Sequence, residues 1–225
     1  MPVFLLDEDE LWFPDPHLGE EDDGFIAVGG DLRPERLILA YENGFFPWFP
    51  FKEQEFPSWH CPLRRFVIFP KEIHVSHSMR TLLNKGRYEV TFNRAFGRVI
   101  RECAGTDGRD GDEMAWLGPD IIKAYTTLHD MGLAASVEVW DKEEDTDDPA
   151  LVGGLYGVMT RNAFFGESMF SKVPSGSKLA LIYLARKAER EGWHFIDCQF
   201  ETPHLKSMGG RHISYEEYMD MISRG

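Results

Sequence analysis

Residues 151–199, LVGGLYGVMTRNAFFGESMFSKVPSGSKLALIYLARKAEREGWHFIDCQ, leave this chain little freedom of fold. Two apolar, aromatic-rich runs are split by Thr160-Arg161-Asn162, a pattern that predicts a β-hairpin. A short loop follows, Val173-Pro174-Ser175-Gly176-Ser177, and then a helix over 178–191 whose apolar face carries Leu181, Ile182, Leu184, Ala185 and Ala188. Ser175 or Ser177 is placed to cap its first turn, and Gly192 stands where a helix C′ residue belongs. Residues 193–199 predict a further strand. Alternation along it puts Phe195, Asp197 and Gln199 on one face and His194, Ile196 and Cys198 on the other. Asp197 and Gln199 would then lie side by side, roughly 6–7 Å apart. Such a carboxylate–carboxamide pair suits either an active site or a strand end whose loop amides need acceptors.

Charge narrows the partners. The formal net charge is −14, yet residues 64–101 hold nine Lys/Arg against Glu72 and Glu89. A basic segment on an acidic protein can steer one polyanion while discouraging others, although the same residues also suit ordinary solvated faces. No run of 18 apolar residues exists to span a membrane, and the acidic MPVFLLDEDE start lacks the basic region of a signal peptide. Three cysteines without CxxC spacing argue against a disulfide framework or a Cys-based zinc site and fit a reducing cytoplasm.

The remaining chain reads as one irregular acidic wrap over 1–23, a strand over 24–28, a helix over 33–43, and the aromatic run Phe45-Phe46-Pro47-Trp48-Phe49-Pro50-Phe51. Proline keeps that run out of helices and central strands. A soft boundary falls near Pro62. Strands are expected at 65–70, 88–92 and 134–140, helices at 76–85, 94–103 and 119–131, and a polar loop at 105–113 delivering Trp116. Residues 141–149 read as an acidic hairpin tip. This order predicts an α+β domain with helices on a mostly antiparallel sheet. His74 and His77 lack a third ligand, so no metal is expected.

Several chemistries are excluded by missing motifs: no GxSxG, HExxH or GxxxxGK[ST] occurs. The strand–loop–helix order around Ser175 is similar to the acetyltransferase superfamily, which seats coenzyme A pyrophosphate at a helix N-terminus. With one glycine and a proline, the 173–177 loop supports that cofactor poorly.

The segments GGDL (29–32), FPWF (46–49), FGESMFS (165–171) and DCQ (197–199), with HVSHSM (74–79), TFNRAFGRVI (91–100), SVEVW (136–140) and LVGGLYGV (151–158), resemble the bacterial leucyl/phenylalanyl-tRNA–protein transferase family over nearly the whole chain. The resemblance implies a small N-terminal domain (1–62) on an acetyltransferase-like (GNAT-type) catalytic domain (63–225). It implies transfer of leucine, phenylalanine and less readily methionine from aminoacyl-tRNA to proteins beginning with Lys or Arg, marking them for degradation. No cofactor, metal or membrane is implied, and a monomer is the default.

Residue by residue, the resemblance implies catalytic roles for Glu167, Asp197 and Gln199 and an aminoacyl pocket of Leu155, Phe164, Leu181 and Ile196. Trp48, Trp116 and Tyr41 would hold the terminal adenosine, and Arg64, Arg65, Arg80, Lys85 and Arg87 the tRNA phosphates. Leu155 stands where methionine is expected and Thr202 where some members carry asparagine. The alternatives are a coenzyme A-dependent N-acetyltransferase and a tRNA- or degron-binding module without chemistry.

Overall fold

The computed structural model describes residues 2–19, 23–48, 56–106, 118–142 and 149–223. Its first part holds β1 (Phe4–Leu6), β2 (Phe25–Gly29), α1 (Pro34–Glu42), β3 (Phe46–Trp48) and β4 (Ser58–His60). These strands form a sheet in the order β1-β2-β4-β3, with β1 parallel to β2 and the other pairs antiparallel. The acidic start is thus more than a wrap, because Phe4–Leu6 adds an edge strand. Pro47 also sits on an edge strand, where its missing N–H costs no ladder bond. Arg36, fully buried, ties the start down by donating to the carbonyls of Asp7 (2.6 Å) and Glu10 (3.0 Å) and to Asp31 (3.4 Å).

The second part runs β5 (Arg64–Ile68), α2 (His77–Lys85), β6 (Tyr88–Phe92), α3 (Phe96–Thr106), α4 (Pro119–Asp130) and β7 (Ala134–Asp141). It continues with β8 (Ala150–Met159), β9 (Ala163–Ser171), α5 (Gly176–Glu191), β10 (Phe195–Asp197), α6 (Pro203–Ser207), β11 (Arg211–Ser214) and α7 (Tyr215–Ser223). Among the described residues, seven strands form one mixed sheet, β11-β5-β10-β9-β8-β7-β6, in which only β9 and β10 are parallel. Alternation along β8 sends Leu155 to the α5 side and Tyr156 to the side of α3 and α4. The cluster on the α3/α4 side also takes in Leu6, Ile26, Tyr41 and Trp59, so the two sheets share one core.

The β8–β9 hairpin turns at 160–162, and α5 ends at Gly192 (φ +76), whose N–H donates to Ala188 and Glu189, both as expected. Its start differs. Ser175 lies at the cap position with φ +70 but makes no side-chain cap bond, and Ser171 Oγ at the end of β9 instead accepts from Ser177 N–H at 3.2 Å. This lets α5 lie directly on β8: a Cβ on Gly153 would meet the Gly176 backbone at 2.9 Å. The acidic tip beyond Lys142 lies outside the described residues.

Candidate active site

β9 and β10 pair only from Ala163↔Phe195 to Phe165↔Asp197. After Asp197 the chain stays bonded to β5, with Cys198 N–H donating to Phe66 O (2.9 Å) and Phe66 N–H to Gln199 O (3.2 Å). It therefore parts from β9, and a cleft of about 470 Å³ opens between them. Leu155, Met169, Leu181, Leu184, Ile196 and Leu205 give the cleft an apolar slot, while Glu167, Ser177, Gln199, Thr202 and His204 supply polar walls.

The strand expected to reach Gln199 stops two residues short of it, and Gln199 takes φ +56. A non-glycine residue in that region is strained unless its surroundings hold it there. Asp197 does the holding: its Oδ1 accepts the Gln199 backbone N–H at 2.9 Å. Asp197 itself is fully buried, and Arg65 grips it through Nε (2.9 and 3.0 Å) and Nη2 (2.8 Å). Tyr218 on α7 donates its hydroxyl to Oδ2 at 2.7 Å. The rings of Phe46 and Tyr218 lie 4.7 and 5.0 Å from the Arg65 guanidinium carbon. Burial works against the Arg65 charge, but the Asp197 carboxylate more than offsets it, so its pKa moves up. Asp197 and Gln199 therefore do not share one face. Asp197 shapes the backbone, while the Gln199 carboxamide lines the cleft, its Nε2 buried with no hydrogen-bond partner among the described residues.

Glu167 owes its aim to a register shift. Tyr156 pairs with Ser168 and Gly157 with Gly166, which leaves Glu167 as the extra residue of a β-bulge. Tyr41 on α1 donates to its Oε1 at 2.7 Å and Tyr125 on α4 to its Oε2 at 3.0 Å, while the two hydroxyls approach to 2.5 Å. Burial raises the Glu167 pKa to about 7, although both tyrosine hydrogen bonds pull it back.

Three expected residues fall elsewhere. Phe164 is buried outside the cleft lining, stacked on Trp193 at 5.9 Å beside Ile196, so it supports the slot from below. Tyr41 is buried with its ring against Phe165 and cannot stack a base; it serves Glu167 instead. Arg65 is no phosphate ligand, being 1% exposed and spent on Asp197. Arg87 pairs with Asp141 at 2.7 Å, whereas Arg64, Arg80 and Lys85 are exposed. Leu155, Leu181 and Ile196 do line the slot. Trp48 is half-buried against Phe200, whose chain neighbour is Gln199, and Trp116 lies outside the described residues.

The family model described as leucyl/phenylalanyl-tRNA protein transferase matches residues 67–223, and that of the family's N-terminal domain matches 30–63. The chain belongs to the leucyl/phenylalanyl-tRNA–protein transferase family. A curated transferase of that name from Nitrosomonas eutropha is 47% identical over 204 residues, 91% of this chain and 83% of its own length. One from Myxococcus xanthus is 43% identical over 225 residues, covering 100% of this chain and 92% of its own. Among solved structures, a conserved protein of unknown function from Bacteroides thetaiotaomicron aligns with a TM-score of 0.42 at 10% identity, over 88% of this chain and 64% of its own, too distant to assign a fold type.

In this member of the transferase family the sequence alone gives no site role to Tyr125 or Tyr218. Both are buried helix residues whose rings read as core and whose hydroxyls find partners far away in sequence. Arg65 carried a usable signal: adjacent Arg64 and Arg65 on one strand must point to opposite faces, so only one can belong to a surface patch.

Proposed function

We propose that this chain moves leucine, phenylalanine and less readily methionine from aminoacyl-tRNA to the α-amine of proteins beginning with Lys or Arg. The observation that carries this reading is the Gln199 carboxamide, unpartnered at Nε2, beside an apolar slot of Leu155, Leu181 and Ile196. Family membership supports the substrate pair: a charged tRNA and a protein.

An aminoacyl ester is already activated, so the protein must align the reactants and stabilise developing charge. The amine nitrogen bonds to the ester carbonyl carbon, the bond from that carbon to the ribose oxygen breaks, and one proton leaves the nitrogen while one joins the ribose oxygen. Gln199 accepts an amine N–H through Oε1, aiming the lone pair, and donates through Nε2 to the carbonyl oxygen as it gains charge. Asp197 acts through Gln199 as a positioning residue, since Arg65, Tyr218 and the Gln199 backbone occupy its oxygens. Glu167, ionising near 7, draws the cationic acceptor terminus. The slot measures apolar bulk, and because a methylene is worth only about 1–3 kcal/mol it takes Leu, Phe and Met together. Trp48 and Trp116 stack the terminal adenine, and Arg64, Arg80 and Lys85 meet phosphates in a shape-tolerant way. In this reading the chain divides near Pro62, with a GNAT-type catalytic sheet after it, and works as a cytoplasmic monomer.

Incubation with leucyl-tRNA and peptides beginning Lys, Arg, Asp and Ala, without ATP or coenzyme A, tests the transfer and its acceptor preference by mass. Gain of leucine on the Lys and Arg peptides is expected. A requirement for acetyl-coenzyme A would instead establish the acetyltransferase alternative.

A further inference from the structure

Beyond Phe165, β9 has a strand neighbour on one side only among the described residues. Gly166 and residues 168–170 pair with β8, while β10 ends at Asp197 and no other described strand takes its place. This bare edge is one wall of the cleft. The facing wall is built from Cys198 and Gln199, then from Thr202, His204 and Leu205 at the start of α6, none of it extended strand. Proteins ordinarily cover, charge or shorten such edges, because unpaired N–H and C=O groups recruit other chains. Here the edge begins beside Glu167 and Gln199, where the proposed transfer takes place.

We propose that the first few residues of the acceptor polypeptide complete this ladder, entering as an extended strand in line with β10 and parallel to β9. The inference rests on the transfer reading and deepens it. The α-amine lies at the Gln199–Glu167 end, and the chain leaves along residues 168–170 toward the N-terminus of α5. Two consequences follow from ladder chemistry. Main-chain hydrogen bonds do not depend on side chains, so many sequences behind the first residue are accepted. A strand also has to be extended, so an N-terminus folded into a helix is refused until it unwinds.

Every second residue of a parallel strand turns its N–H and C=O to the same neighbour, which gives the idea a periodic signature. Lys-initiated hexapeptides carrying one backbone N-methyl group at residue 3, 4 or 5 test it, each assayed with leucyl-tRNA on the unaltered protein. Loss of an N–H to the edge, together with the methyl's bulk, lowers kcat/KM about tenfold. The expected result is an alternating series, with position 4 differing from positions 3 and 5. Equal rates for all three, or equal losses, would overturn the strand while leaving the transfer intact, because the unmethylated parent still gains leucine. A parent peptide that gains nothing would overturn the transfer reading and the strand with it.

Discussion

Two carboxylates border the cleft, and they live by opposite rules. Asp197 has a buried cation, Arg65, two aromatic faces around that cation and no solvent contact. Glu167 has two tyrosine hydroxyls and no cation within hydrogen-bond reach among the described residues, and burial lifts its pKa to about 7. A buried carboxylate gripped by a bidentate guanidinium is held in one geometry. One held by hydroxyls alone takes or releases a proton near neutrality. The first carboxylate shapes the backbone; the second answers to pH.

The contrast can be broken at its strongest point. Arg65→Met leaves Asp197 charged and unpaired in the core, and the expected cost is about 3–5 kcal/mol of stability, read as a lowered denaturation midpoint. An unchanged midpoint would mean that Asp197 is not held by charge. Gln199→Ala comes next: transfer falls by about 10²-fold, in the range of a lost oxyanion donor, while affinity for charged tRNA stays. If affinity falls in step with turnover, Gln199 belongs to substrate capture.

Glu167→Gln is smaller and pH-dependent. The wild-type to variant rate ratio should rise by roughly tenfold between about pH 6 and 8, tracking one ionisation near 7. The stability sign is opposite to that of an ordinary ion pair. The folded carboxyl binds its proton more tightly than the unfolded one, so its contribution is complete below 4.5 and is lost as pH rises through about 7. Thermal melts of wild type and Glu167→Gln across that window check it; parallel melting curves would remove the raised pKa. The smallest effect is Tyr41→Phe, which removes a hydrogen bond that favours the ionised form and moves the rate limb to higher pH. A limb moved to lower pH would contradict the assigned donor.

The hairpin, α5 and its glycine stop were legible because periodicity and turn residues act locally. Leu181 was also legible on the apolar face of α5, whereas its place and that of Ile196 in a slot came only from the family resemblance. What escaped the sequence depends on partners. The bulge that aims Glu167 exists only in the register between β8 and β9. Gln199 leaves its strand because β5 keeps its backbone and Asp197 its N–H, neither of which alternation can see. The cap from Ser171 had a local rival in Ser175, whose side chain lost the place when the backbone turned left-handed. Nothing in the sequence reading assigned α6, β11 or α7, and with them went the source of Tyr218.

The guanidinium of Arg65 lies against a ring from β3 and a ring from α7, 172 positions apart in the chain. A polypeptide still emerging from the ribosome lacks the second ring until synthesis has passed Tyr218. The geometry around Gln199 therefore cannot be completed before residue 218 has been made.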